Sequence, residues 1–495
     1  MPGVQLKEGR NLANSLAVRV IKEALARSGF TAPHRSDYGK VPEIQRNEMT
    51  KLDESRSLTA STQDRSLDRA YRPWQVRIFI ATWLAYAGYY FCRKPFYVVK
   101  ADMGWAFGLS SVQLGHLGTA YLAAYAVGQF SSAYFGRRLG PKLLLVLGIA
   151  VSVACNFIFG ISNGFWTLML FLAINGVAQG TGWPGCIGSL AFWFRRGQRG
   201  SILGVWSTCY QLGSCVSTAF AAYMLGRAGW RWSYFGSALV LLAVWAVVLL
   251  LHPNRPENVG LSPIEEEADG TDGAEPPKQR AELAGSGEDV QGLGWTADVV
   301  ISLLTMGVIY FTIKFLRYAL WSWAPFFLRQ NFQLSGAKAG YLSTVFELCG
   351  FFGVIASGVA SDKLFHGRRA FLSFAMLAMM TLSFTLMATL GAKSLFFFTL
   401  SMGLAGFMLF GPDALLSGVG AIDVGSKRGA LAAAGIINGM GSIGPIFQEE
   451  IIGWMYKASG QRIFPILVML VCVAAAGTFV TFLLWMRARK GKANL

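Results

Sequence analysis

Apolar residues in this chain come in blocks of about 20, one after another from near Trp74 to near Met486. Such a block is the length an α-helix needs to cross the roughly 30 Å hydrocarbon core of a bilayer. Within that core a chain must satisfy its backbone hydrogen bonds internally, which a helix does. Composition agrees with this reading: 53% of residues are hydrophobic and 14% charged, too few charges to coat a soluble surface. The blocks fall near 74–99, 111–136, 142–162, 165–194, 200–224, 230–251, 297–324, 338–361, 369–391, 395–418, 429–455 and 462–486. The expectation is an all-α membrane protein with twelve transmembrane helices in two pseudo-symmetric six-helix bundles.

Charge placement orients the chain. The formal net charge is +17, a value that would suit a nucleic-acid binder. Its basic residues instead cluster in every second loop: Arg137, Arg138 and Lys142; Arg195, Arg196 and Arg199; Lys363, Arg368 and Arg369; Lys427 and Arg428; and the tail Arg487, Arg489, Lys490 and Lys492. That is the positive-inside pattern. It places both termini in the cytoplasm and argues against nucleic acid as a partner; the lipid bilayer is the partner it implies. A polar stretch, 253–296, with EEEADGTDGAEPPKQR at its centre, divides the helices six and six and reads as a flexible cytoplasmic linker. The organisation expected is an extension over 1–70, mostly disordered, a bundle over 71–252, the linker, a second bundle over 297–488 and a basic tail over 489–495. Within the extension, Asn11–Arg27 has apolar residues at helical spacing that could rest on the inner membrane surface.

Soluble chemistry is hard to find. The seven cysteines fall inside predicted helices and none forms a CxxC pair, so neither a disulfide framework nor a metal site is expected. The four histidines are scattered toward loops and the tail. No phosphate-binding loop, dinucleotide fingerprint or triad is present, which leaves an enzyme and a cofactor without support.

The charges that break the apolar blocks carry the functional signal. Arg93 and Lys94 interrupt the first helix in YYFCRKPF, and Arg317 interrupts the seventh in YFTIKFLRYALWSW. A charge at membrane depth costs at least roughly 2.5–3.5 kcal/mol and marks function. Arg93 and Arg317 each lie about 20 residues into their half. The turns YFGRRLGPK and ASDKLFHGRR also match, as do proline-bearing breaks at GWPG (Pro184) and FGPD (Pro412). Related halves place a substrate site between them near the midplane, so the two arginines are expected to converge there. Two guanidinium forks suit a phosphate, whose oxygens accept bidentate hydrogen bonds. Lys314 lies one turn from Arg317 on roughly the same face. Lys94 reads either as a fourth cation at the cavity wall or as a side chain snorkelling to a headgroup. Tyr90 could donate to the phosphate. The competing reading is structural pairing with carboxylates, for which Glu347, Asp413, Glu449 and Glu450 are candidates; Glu347 and Asp413 could equally meet hydroxyls of an organic substrate or carry a proton.

These residues resemble the major facilitator superfamily, specifically its organophosphate–phosphate antiporter branch. YYFCRKPF is similar to that branch's helix 1 signature, NGVAQGTGWPGC to its helix 4–5 signature, LRYALWSWAPFFL to its helix 7 and GLSPIEE to its linker. The stretch FGPDALLSGVGAIDVGSKRGALAAAGIINGMGSIGP is similar to the animal sugar-phosphate exchangers. The resemblance covers roughly 71–490. It implies that Arg93 and Arg317 clamp a phosphate and that Glu347 is the helix 8 acid. It also marks departures: Tyr210 stands where a helix 5 histidine is usual, Gln129 where a helix 2 lysine is usual, Lys314 in place of a tyrosine and Gly136 in place of an acid, while Asp362 is kept. These departures count against glycerol-3-phosphate itself as the substrate. Gln179, in the helix 4 signature, completes the expected site. The function implied is exchange of an organic phosphate ester for inorganic phosphate by alternating access, in a monomer of the bacterial inner (plasma) membrane. The alternatives are a hexose-phosphate sensor signalling to a partner kinase and a carrier of another organic anion.

Overall fold

The computed structural model describes residues 69–264, 295–365 and 368–490. The chain divides at Ala70, and the unit Tyr71–Leu495 holds every element named below. The amphipathic stretch Asn11–Arg27, the end of the tail and most of the linker lie outside the described residues, as do the side chains of Asp362, Asp423, Lys427 and Arg428. Among the described residues the regular elements are all helical.

The first crossing is made of three pieces: α1 (71–91), α2 (Lys94–Val98) and α3 (Lys100–Phe107). It runs eight residues beyond the expected end at 99. The break at Cys92–Arg93 has a local cause. Pro95 stands in the first turn of α2, where it supplies no N–H and crowds the carbonyl four residues back. At the break itself the Cys92 carbonyl accepts from two amides, Asn175 Nδ2 at 3.0 Å and Asn156 Nδ2 at 3.3 Å. The remaining helices of the first half are α4 (Ser111–Leu139), α5 (Pro141–Ile161), α6 (Phe165–Gln179), α7 (Gly182–Trp193), α8 (Arg196–Trp206), α9 (Thr208–Ala228) and α10 (Trp230–Leu251). The fourth crossing breaks at Gly180–Thr181 rather than at Pro184. That proline sits in the first turn of α7, where its missing N–H costs nothing.

The second half contains α11 (Ala297–Asn331), α12 (Gly336–Lys363), α13 (Arg369–Leu386), α14 (Leu395–Ala414), α15 (Gly420–Ala458) and α16 (Phe464–Arg489). Short π-helical turns follow α13 (Met387–Gly391) and α14 (Leu415–Val419). Two expectations change here. Pro412 lies inside α14 without ending it, and the wide turn beyond it leads into α15 with no loop between, so Lys427 and Arg428 sit on a helix. A proline inside a membrane helix removes one bond, to the carbonyl four residues back, without necessarily ending the helix. The start of the linker is packed as well: Pro256 is buried and the Tyr71 hydroxyl donates to the Ser262 carbonyl.

The halves repeat the same pairings. In the first, α4 packs on α6 and α5 on α10; in the second, α12 packs on α14 and α13 on α16. Both principal pairs close through glycine. A Cβ on Gly128 would stand 2.4 Å from the Val177 carbonyl, and one on Gly176 2.4 Å from the Tyr121 carbonyl. In the second half, a Cβ on Gly353 would reach the Phe407 carbonyl at 2.1 Å and one on Gly406 the Phe346 carbonyl at 2.2 Å. Small residues let membrane helices approach to backbone contact. The halves then meet through a second matched pair, α4 on α15 and α9 on α12.

Among the described residues, seven helices are long and apolar enough to cross a membrane on their own: α5, α10, α11, α12, α16, and α13 and α14 each taken with its π turn. The other crossings are the broken ones and the polar α4 and α15. Those carry most of the residues described next.

Candidate functional site

Arg93 is turned inward by the break in the first crossing and is 6% exposed. Its Nε donates to Gln179 Oε1 at 2.9 Å, and the Tyr121 hydroxyl donates to the same oxygen at 2.8 Å. Its guanidinium carbon lies 4.9 Å from the Tyr90 ring centre, 4.8 Å from that of Tyr125 and 5.9 Å from that of Tyr121. Gln129 Nε2 donates to the Tyr125 hydroxyl at 3.0 Å, which holds that ring in place. Among the described residues no carboxylate pairs with Arg93, and its two terminal nitrogens have no hydrogen-bond partner.

Arg317 differs. Its Nη1 donates to Asp413 Oδ2 at 2.9 Å, and its guanidinium lies 4.4 Å from the Phe410 ring centre. Lys314 Nζ contacts Ser442 Oγ at 3.4 Å and lies 4.8 Å from the Tyr310 ring. Tyr210 is half-buried within electrostatic reach of Arg317 and Asp413. The two arginines act on common neighbours, since Tyr90 and Tyr318 each lie within electrostatic reach of both. The rings of Tyr90, Trp321 and Tyr318 form the bridge between them, with centroids 6.0 and 4.9 Å apart. Arg93, Arg317, Lys314 and Asp413 together leave a formal charge of +2 at this junction.

Lys94 is no snorkelling side chain. It is 2% exposed, its Nζ lies 2.6 Å from Glu347 Oε1, and it stacks 3.8 Å over the Trp321 ring. Glu347 also accepts from Ser214 Oγ and Trp321 Nε1, and from Thr218 Oγ1 at 3.4 Å. Lys94 and Glu347 therefore neutralise one another across the two halves. Glu347 serves neither arginine; of the candidate acids only Asp413 does.

A second buried pair escaped the sequence reading. Lys100 and Glu449, both 0% exposed, meet at 3.0 Å, with Ser322 donating to the carboxylate, Trp323 Nε1 donating at 2.8 Å and the ammonium donating to Ser322 Oγ at 2.8 Å. The signal was Lys100 itself. It lay one residue past the expected end of the first helix and so passed for a loop residue. Nearby, Arg329 Nη2 donates to Asp102 Oδ1 at 2.5 Å, and the half-exposed Glu450 meets His116 Nδ1 at 2.8 Å. All four contacts join one half to the other. They run from α2, α3 and the first turns of α4 in one half to the end of α11, α12 and the last part of α15 in the other. The basic turns lie at the opposite ends of α4 and α12.

Fold and site define a multi-pass helical membrane protein of two matched halves with a basic centre between them. The chain belongs to the Major Facilitator Superfamily, whose family model matches residues 78–449. It is similar to a probable hexose phosphate transport protein of Chlamydia pneumoniae (25% identical, 82% of this chain and 90% of that protein). It is similar also to putative glycerol-3-phosphate transporter 3 of Arabidopsis thaliana (29% identical, 81% and 85%) and to the membrane sensor protein UhpC of Salmonella typhimurium (28% identical, 79% and 87%). Among solved structures, a bacterial homolog of the human lysosomal transporter Spinster superposes with a TM-score of 0.67 at 16% identity, covering 85% of this chain and 98% of that one; this likeness concerns the fold alone.

Proposed function

We propose that this protein exchanges an organic phosphate ester for inorganic phosphate by alternating access. The observation that carries the reading is Arg93: a buried guanidinium whose two outer nitrogens have no partner among the described residues, set between tyrosines and sharing Tyr90 and Tyr318 as neighbours with a second arginine from the other half. Leaving a buried cation unpaired is costly, so the site is built for an anion that arrives from outside. A phosphate carries close to two negative charges at neutral pH, which offsets the +2 of the junction. The Chlamydia and Arabidopsis relatives, named for hexose phosphate and glycerol-3-phosphate, support the same ligand chemistry.

The mechanism follows from charge. Empty, the junction holds cations that resist being drawn together in a low dielectric. A bound phosphate neutralises them and lets the halves close around it, so reorientation is favoured only when the site is loaded, and flux is exchange. The four cross-half contacts close one end. The basic turns at the other end support a cytoplasmic reading of that side, with both termini on it and the closed end facing outward. Reconstituted protein in phosphate-loaded liposomes is expected to exchange labelled phosphate, and Arg93→Lys and Arg317→Lys, which lose the fork but keep the charge, to abolish most of that exchange. Normal exchange by both variants would refute the clamp. Saturable phosphate-ester binding with no flux would favour the second reading, a membrane sensor, which the likeness to the Salmonella protein supports.

A further inference from the structure

Three carboxylates lie deep between or beside the halves, and two of them are saturated with donors. Glu347 is held by Lys94, Ser214 and Trp321, and Glu449 by Lys100, Ser322 and Trp323. Asp413 is half satisfied. Its Oδ2 accepts from Arg317, while its Oδ1 is buried and has no partner among the described residues; the residue is 6% exposed. Arg317, Lys314, Tyr210 and Tyr310 face it within electrostatic reach. A buried acceptor is normally paired, and a fixed, unpaired carboxylate oxygen beside a ligand site asks for a donor from the ligand.

We propose that Asp413 Oδ1 accepts a hydrogen bond from a hydroxyl in the alcohol part of the transported ester, so that Asp413 sets specificity between esters that carry such a hydroxyl and esters that lack it. The inference rests on the phosphate reading above. A monoester dianion has terminal oxygens that only accept; it cannot satisfy Oδ1 and is repelled by it. The donor must come from the alcohol. Inorganic phosphate near neutral pH keeps a P–OH and brings a donor of its own. One carboxylate oxygen thus admits both exchange partners and rejects esters without a donor. Sites built to hydrogen-bond a substrate hydroxyl discriminate strongly against the analogue that lacks it.

The test compares two esters of one ring skeleton, glucose 6-phosphate and tetrahydropyran-2-ylmethyl phosphate, which lacks the ring hydroxyls, as competitors of labelled phosphate exchange in proteoliposomes. In the native protein the ester without hydroxyls is expected to compete at least about tenfold more weakly. In Asp413→Leu the acceptor is removed and no new donor or acceptor takes its place, so the two esters are expected to compete within about threefold of each other. Equal competition by the two esters in the native protein would overturn the proposal whatever the variant does, and so would an unchanged ratio in Asp413→Leu. Native protein that exchanges no labelled phosphate would overturn the phosphate reading itself, a result distinct from exchange that proceeds without discrimination.

Discussion

At the scale of single residues, the same side chain type has opposite fates according to what packs around it. Arg93 and Arg317 occupy matching places in the two halves, yet one is stacked among tyrosines with its outer nitrogens free among the described residues and the other is paired to Asp413. Under the proposed exchange, that asymmetry would make the first half the primary phosphate seat. Arg93→Gln is therefore expected to weaken phosphate competition more than Arg317→Gln does, as an exchange assay over a range of phosphate concentrations would read. A different residue governs pH sensitivity. His252, just beyond the end of α10, is fully buried; its Nε2 meets Ser189 Oγ at 2.7 Å and its Nδ1 is unpartnered. Burial pushes its pKa down to about 4 from the ordinary 6.5. Because the folded value is depressed, the neutral ring contributes stability that is present above pH 6.5 and lost as pH falls toward 4. The loss amounts to about 2 kcal/mol by pH 5. Melting curves of the solubilised protein at pH 7 and pH 5 should show it, and His252→Gln should flatten the dependence.

At the scale of elements, breaks and close approaches do the positioning. The apolar blocks located most of the helices to within a few residues, because block length against bilayer thickness is a strong local signal. Breaks were not legible. The one at Cys92–Arg93 fell inside a block read as a single helix, and Pro184 and Pro412, read as breaks, sit where helix geometry tolerates them, in a first turn and before a π turn. The glycine seams of α4 with α6 and α12 with α14 give a sharp expectation. Gly128→Ala and Gly353→Ala each force a methyl against backbone and should cost about 1–3 kcal/mol. Gly435→Ala on α15 meets nothing within 4 Å and should leave the melting temperature unchanged or raise it. If all three behave alike, backbone contact is not what holds these pairs.

At the scale of the whole molecule, the charges that could have burdened the membrane core become the fastening between halves. Lys100–Glu449 is the most enclosed of these contacts. Glu449→Gln strands a buried ammonium and is expected to cost about 3–5 kcal/mol, whereas the double variant Lys100→Met/Glu449→Gln should recover most of that stability. Thermal unfolding of the two variants side by side checks it. A double variant no better than the single would mean that the pair is not a unit.

The sequence by itself determined that the chain lives in a membrane, how many times it crosses and which half matches which, and it drew attention to Arg93 and Arg317. These are consequences of composition, block length and spacing, all readable along one dimension. Only the tertiary structure decided which acid answers which base. Glu347 went to Lys94, Glu449 to the overlooked Lys100 and Asp413 to Arg317, leaving Arg93 without an acid among the described residues. Ion pairing depends on a few ångströms between helices more than a hundred residues apart in sequence, and no local pattern encodes that distance.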